Sequence, residues 1–271
     1  MTLQPAARCA EYEEAAVSGQ PDRSVTAEQG HKRVRAYLAG ELVADTSAPL
    51  LVWENRNYPA YYIPEHDIQA ALIASGQSDR HPRLGEAELL HVKTSNATAE
   101  LAARRYQDAP LPELRDAIRL EWDAMSEWLE EDEPVYVHPR NPYTRVDILA
   151  SSRQVRVELD GVTVAESGQP RILFETGLPP RYYLPLTDVR MDLLRSSDRA
   201  SHCPYKGTAS YWSVDTSQAA AGGRLHQDVV WMYRTPLPES QKVAGLACFY
   251  NERVDLYVDG VLQTRPKSVL S

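Results

Sequence analysis

Apolar and polar positions alternate with a period of two along most of the chain, which predicts strands half-buried on one face. Val155–Leu159 alternates, Asp160-Gly161 supplies a tight two-residue turn and 162–166 returns, so this stretch reads as a β-hairpin. Residues 172–175 and Arg181–Leu184 are two more short strands, split by Gly177-Leu178-Pro179-Pro180, whose prolines cannot donate to a ladder. Further strands are predicted over 229–233 and 254–258, the second closed by Asp259-Gly260. Thr187 is placed to cap a short helical turn over 188–194. Between these elements, 201–214 reads as a polar turn, Cys203-Pro204-Tyr205-Lys206-Gly207, feeding a strand. Alternation in that strand sends Tyr211 and Ser213 to one face and Trp212 and Val214 to the other.

The same pattern occurs twice. Val34, Arg35, Leu38, Gly40, Val43 and Ala44 return 121 positions later as Val155, Arg156, Leu159, Gly161, Val164 and Ala165. The offset persists through Glu54/Glu175, Tyr61/Tyr182, Tyr62/Tyr183, Pro64/Pro185, Asp67/Asp188, Leu72/Leu193 and His81/His202. Pro110-Leu111-Pro112-Glu113 mirrors Pro236-Leu237-Pro238-Glu239, and Tyr136-Val137 is matched with Tyr257-Val258. A tandem duplication is therefore expected, with an irregular arm over 1–30, a first unit over 31–148 and a second over 149–271. One element breaks the β pattern. Leu114, Ile118, Trp122, Met125 and Leu129 recur at helical spacing and predict an amphipathic helix over 113–131. Its other face would carry Glu113, Asp116, Glu121, Asp123, Glu127 and Glu130.

Composition narrows the partners. A formal net charge of -9 disfavours binding to nucleic acid or to an anionic bilayer, since both need clustered Lys and Arg. Glu11, Glu13 and Glu14 stand where a secretory leader would have its apolar core, so a cytoplasmic protein without a membrane span is expected. Cys9, Cys203 and Cys248 are widely spaced and form no Cys-x-x-Cys pair, which argues for free thiols and against a thiolate zinc site. No metal or other cofactor is expected. His202 and His226 have no third ligand at a recognisable spacing.

The second unit concentrates the candidate chemistry. Cys203 stands beside His202 and three residues before Lys206, so a nearby positive charge could favour a thiolate. Lys206-Gly207 could hold an anion, with backbone amides approaching past the missing side chain. Asp188 and Asp192 are four apart, close to Arg190 and Arg195. Tyr182, Tyr183, Tyr205, Tyr211, Trp212, Trp231 and Tyr233 are a dense aromatic set, and Arg181, Arg190, Lys206 and His202 could ring it. An aromatic-lined, positively rimmed cavity suits a small anionic or planar ligand.

The run Asp188-Val189-Arg190-Met191-Asp192-Leu193-Leu194, then Cys203-Pro204-Tyr205-Lys206-Gly207, Tyr211-Trp212, Trp231 and Pro236-Leu237-Pro238-Glu239, resembles the signature of the family called domain of unknown function 427. It covers the second unit, and a weaker version covers the first. The resemblance implies a mainly β chain of two tandem β-tent-like domains, similar in fold to methionine sulfoxide reductase B, and the family also carries a nucleotidyltransferase label. The first unit departs from the signature at His81-Pro82-Arg83-Leu84-Gly85, read as one residue shorter than His202 to Gly207, and at Leu89-Leu90 in place of Tyr211-Trp212. Three functions are weighed. The leading one is binding of a small ligand by the second unit, in a monomer whose two units form an internal pseudo-dimer, with Asp192 counted among the site residues. The others are nucleotidyl or acyl transfer using Cys203 or Lys206, and a scaffold that docks partners on the acidic helix.

Overall fold

The computed structural model describes residues 25–55 and 57–267. The chain divides into two compact units whose boundary falls between Asn141 and Pro142. Among the described residues no helix is long and apolar enough to cross a membrane.

The first domain contains strands β1 (Thr26–Gln29), β2 (Val34–Leu38), β3 (Glu41–Thr46), β4 (Leu50–Trp53), β5 (Ala60–Pro64), β6 (Ala71–His81), β7 (Gly85–Lys93), β8 (Thr98–Arg105), β9 (Ala117–Leu120), β10 (Glu127–Glu130) and β11 (Glu133–Pro134). A seven-stranded antiparallel sheet has the order β1-β4-β5-β9-β8-β7-β6, and a four-stranded sheet the order β11-β10-β2-β3. The second domain repeats the plan. Its strands are β12 (Val146–Ala150), β13 (Val155–Leu159), β14 (Val162–Ser167), β15 (Arg171–Glu175), β16 (Arg181–Leu184), β17 (Leu194–Cys203), β18 (Gly207–Asp215), β19 (Leu225–Tyr233), β20 (Ala247–Phe249), β21 (Asp255–Val258) and β22 (Val261–Leu262). The sheets run β12-β15-β16-β20-β19-β18-β17 and β14-β13-β21-β22. This is a mainly β protein of two tandem domains, as the alternation predicts.

In each domain the strand period decides what is buried. In the second, Val157, Leu159, Val164, Leu256 and Val258 of the small sheet pack against Leu184, Val214, Val230 and Phe249 of the large one. This forms the main core, and each such side chain contributes about 1.5–3 kcal/mol by leaving water. The opposite face of the large sheet carries a second cluster, built on Tyr183, Tyr211, Trp231, Tyr233, Cys248 and Tyr250.

Several sequence-based expectations give way. There is no helix over 113–131. Pro112–Leu114 and Trp122–Ala124 are single 3-10 turns, separated by β9 and followed by β10. β9 lies inside the large sheet between β5 and β8, with Ala117, Ile118 and Leu120 all buried, so apolar side chains point both ways and mimic helical spacing. Trp128, not Leu129, enters the core, where it stacks on Trp122 at 4.8 Å. The acidic residues do not form one docking face: Glu121 accepts from Arg104 and Arg119, and buried Glu130 accepts from Lys32 and the Tyr61 hydroxyl.

Other corrections are local. Thr187 lies within a 3-10 turn, Leu186–Asp188, and bonds Asp188 rather than capping a helix; a second turn, Met191–Leu193, follows. Within the span read as an arm, Thr26–Gln29 is an edge strand paired with β4, while residues 1–24 and Cys9 lie outside the described residues. Tyr136-Val137 is not the counterpart of Tyr257-Val258. β10 pairs with β2 as β21 pairs with β13, which makes Leu129 and Glu130 the equivalents.

Candidate functional site

The turn singled out by the sequence is a hairpin loop between β17 and β18. The Cys203 carbonyl accepts from the Lys206 amide at 3.3 Å with Pro204 second in the turn, and Gly207, at φ +92°, closes the ladder opposite Cys203. That φ lies where a side chain is strained, so glycine is favoured here. Leu237 N donates to the Lys206 carbonyl at 3.1 Å and Ser240 Oγ to the Tyr205 carbonyl at 3.3 Å, tying the loop to the Pro236–Ser240 stretch.

Held this way, Lys206 points inward. It is 9 % exposed, and its ammonium donates to Glu175 Oε2 at the end of β15. Burial works against the charged form, but the neighbouring Cys203 sulfur and the Glu175 carboxylate outweigh it and hold Lys206 above the ordinary lysine value.

From there an aromatic row crosses the sheet. Register places Tyr183 on β16 opposite Cys248 on β20, Cys248 opposite Trp231 on β19, and Trp231 opposite Tyr211 on β18. Trp231 Nε1 donates to the Tyr183 hydroxyl at 3.1 Å, with the two rings edge to face. Tyr250 lies 4.6 Å from Trp231 between ring centroids. Arg181 is 4 % exposed, forms a bidentate pair with Glu252 at 2.7 Å on both arms, and sits 5.6 Å from the Trp231 ring. Burial pushes the Tyr183 and Tyr233 hydroxyls well above their ordinary value, and pushes the Cys248 thiol up. The face is therefore an aromatic interior holding two matched ion pairs and neutral acids.

The family model for the domain of unknown function 427 (DUF427) matches residues 26–131 and 147–260. The chain belongs to the DUF427 family. The two matches coincide with the two sheet pairs, so both DUF427 domains have the same topology. No curated protein matches the chain.

Of the residues proposed from sequence, Arg181, Tyr183, Cys203, Lys206, Tyr211, Trp231 and Tyr233 come together on or beside this face. Trp212 and Tyr182 do not: they project from the opposite face and pack against the main core. Arg190 and Asp192 are exposed and paired with each other at 2.6 Å, on the turn between β16 and β17 beside the small sheet. His202 is exposed, with its Nδ1 2.9 Å from Thr208 Oγ1, since its neighbour Cys203 takes the inward direction. Tyr205 is half-buried at the loop tip. Sequence reasoning overlooked Glu175, Glu252, Cys248 and Tyr250 as site residues. Glu175 had left a signal in the Glu54/Glu175 match.

Strand register also revises the comparison of the two loops. His81 pairs with Gly85 as Cys203 pairs with Gly207, so the loops are equal in length, and the counterpart of Cys203 is His81. His81 Nδ1 accepts from the Arg83 and Leu84 amides, and burial lowers its pKa. Leu84 then stands where the second domain has Lys206.

Proposed function

We propose that the second DUF427 domain binds a small planar molecule on the outer face of its seven-stranded sheet, with Lys206, Glu175 and Cys203 at one end of the site. One observation carries this reading. The first domain builds the same sheet with Leu84 and Ala60 at the positions of Lys206 and Arg181, both of which form buried ion pairs in the second. Removing an ion from water costs several kcal/mol even after relaxation, and apolar replacements are often neutral or stabilising. The fold does not require these pairs, and ionisable groups held in an aromatic interior are characteristic of binding and catalytic sites. Since Lys206 and Arg181 already have carboxylate partners, the ring-lined interior favours a planar ligand over a bare anion at this end.

Tryptophan fluorescence of the full chain, titrated with neutral rings such as indole and 2-naphthol, tests the reading. Saturable changes should be lost in Trp231→Leu and weakened in Lys206→Met, with urea unfolding confirming that both variants fold. Equal binding by wild type and both folded variants would reject the site.

A second reading, acyl or nucleotidyl transfer through Cys203 or Lys206, is favoured by the contact of thiol, ammonium and carboxylate at the loop. Selective alkylation of Cys203 near neutral pH, slowed in Lys206→Met, is the outcome it requires; an inert thiol removes its thiol version.

A further inference from the structure

The other end of the aromatic face has a different electrostatic character. Arg199, four residues before Cys203 along β17 and so separated from it by roughly 13 Å of strand, holds its guanidinium 4.7 Å from the Tyr211 ring centroid. Arg253 lies 5.9 Å from the Tyr250 ring centroid. The two tyrosine hydroxyls are 3.4 Å apart, and Ser201 Oγ is 2.7 Å from that of Tyr211. Three hydroxyls sharing two contacts leave one proton with no acceptor among the described residues.

The two arginines here are more loosely held than Arg181. Glu252 is engaged by Arg181 through both oxygens. Arg199 forms only a long ion pair with Asp228, at 3.9 Å and too far for a hydrogen bond, so the donors of its guanidinium stay open to a ligand. Arg253 is exposed, and among the described residues no carboxylate forms an ion pair with it. The sister domain has the opposite sign. By register its Asp79 and Glu121 stand where the second domain has Ser201 and Tyr250, and both engage Arg104. Gln77 occupies the position of Arg199, on the same serine-anchored bulge.

We propose that Arg199 and Arg253, with the free proton of the Ser201–Tyr211–Tyr250 hydroxyl chain, seat the anionic group of a planar ligand, a carboxylate or a phosphate monoester. The proposal rests on the ring-binding reading above and deepens it to planar organic acids. The Tyr211 and Tyr250 rings support the two guanidinium groups by cation–π contact, and a guanidinium presents paired donors that match either oxyanion.

The test uses the full chain and calorimetric titration with phenyl phosphate, benzoate, neutral benzyl alcohol and inorganic phosphate. One acid should bind at least about tenfold more tightly than benzyl alcohol, the ratio of a single charge-assisted hydrogen bond. That preference should vanish in the Arg199→Gln/Arg253→Gln variant and survive in Lys206→Met. Comparing phenyl phosphate with benzoate decides which oxyanion is taken. Equal affinity for charged and neutral rings in the wild type, or a preference kept by the double variant, overturns the seat and leaves the ring reading standing. If inorganic phosphate binds and is lost in the double variant while no ring binds, the seat stands and the ring reading falls. Absence of binding by every probe overturns both.

Discussion

The two domains share one strand order, yet the same row of their large sheets is solved in opposite ways. In the second, the row is Tyr183, Cys248, Trp231 and Tyr211; in the first, register gives Tyr62, Arg119, Arg104 and Leu89. The first row is closed by its own acids: Glu54 accepts from Arg119 at 2.8 Å and Tyr62 at 2.7 Å, while Glu121 and Asp79 engage Arg104. Glu54 and Glu175 thus keep one position but change partner, from a guanidinium across the sheet to the ammonium of the loop. The difference teaches that topology constrains the apolar core between the sheets and leaves the outer face free to become either a satisfied charge ladder or a buried aromatic cluster.

The largest effect that could break this comparison lies at the Lys206–Glu175 pair. Glu175→Leu alone strands a buried ammonium and should cost the second domain about 3–5 kcal/mol. Lys206→Leu with Glu175→Leu imitates Leu84 and should recover most of that loss. Urea unfolding measures both, and a double variant as unstable as the single would mean that the fold needs the pair.

Alkali should separate the domains next. Burial keeps Cys248 protonated in the folded state, so the stability it lends is complete below the unfolded thiol value, roughly pH 9, and is lost as pH rises beyond it. Tyr183, Tyr233 and Lys206, also raised, act in the same direction from roughly pH 10. The first domain has raised tyrosines, Tyr62 and Tyr106, but its outer-face cations are arginines that do not titrate. The second domain should therefore lose stability at lower pH than the first. Thermal unfolding scanned from pH 8 to about 11 checks the order, and simultaneous loss would contradict it.

A smaller effect should be common to both domains. Gly207 at φ +92° and Gly85 at φ +89° close equivalent loops, so Gly207→Ala and Gly85→Ala should each cost about 1–2 kcal/mol. A β-carbon on Gly207 would meet nothing closer than 3.5 Å, so the cost is conformational, not steric crowding. Unequal losses in urea titrations would show that the loops differ more than their backbones do. Smallest of all, Arg190→Ala removes a fully exposed pairing with Asp192 and should leave both the unfolding midpoint and ligand titrations unchanged. A measurable change in ring binding would return Arg190 to the site.

Part of the candidate site's geometry was legible in the sequence. The alternation that puts Tyr211 and Trp212 on opposite faces already separates the outer aromatic cluster from the main core, so the two cannot line one cavity. His202 and Cys203 were separated by the same rule. The false helix over 113–131 arose because a strand buried on both faces and a tryptophan turn can imitate a spacing of three and four. The two loops look unequal in sequence because the offset grows by one residue where the second domain inserts its 3-10 turn Met191–Leu193.

The amino-acid order alone determined the duplication, the β class, the tight turns and the segment carrying Cys203 and Lys206, because these depend on local periodicity and on backbone preferences of glycine and proline. The folded chain decided which charges meet. Glu175, Glu252 and Tyr250 reach Lys206, Arg181 and Tyr211 only across hydrogen-bonded strands far apart in sequence, and a pairing of that kind is fixed by register and burial, which no local pattern encodes.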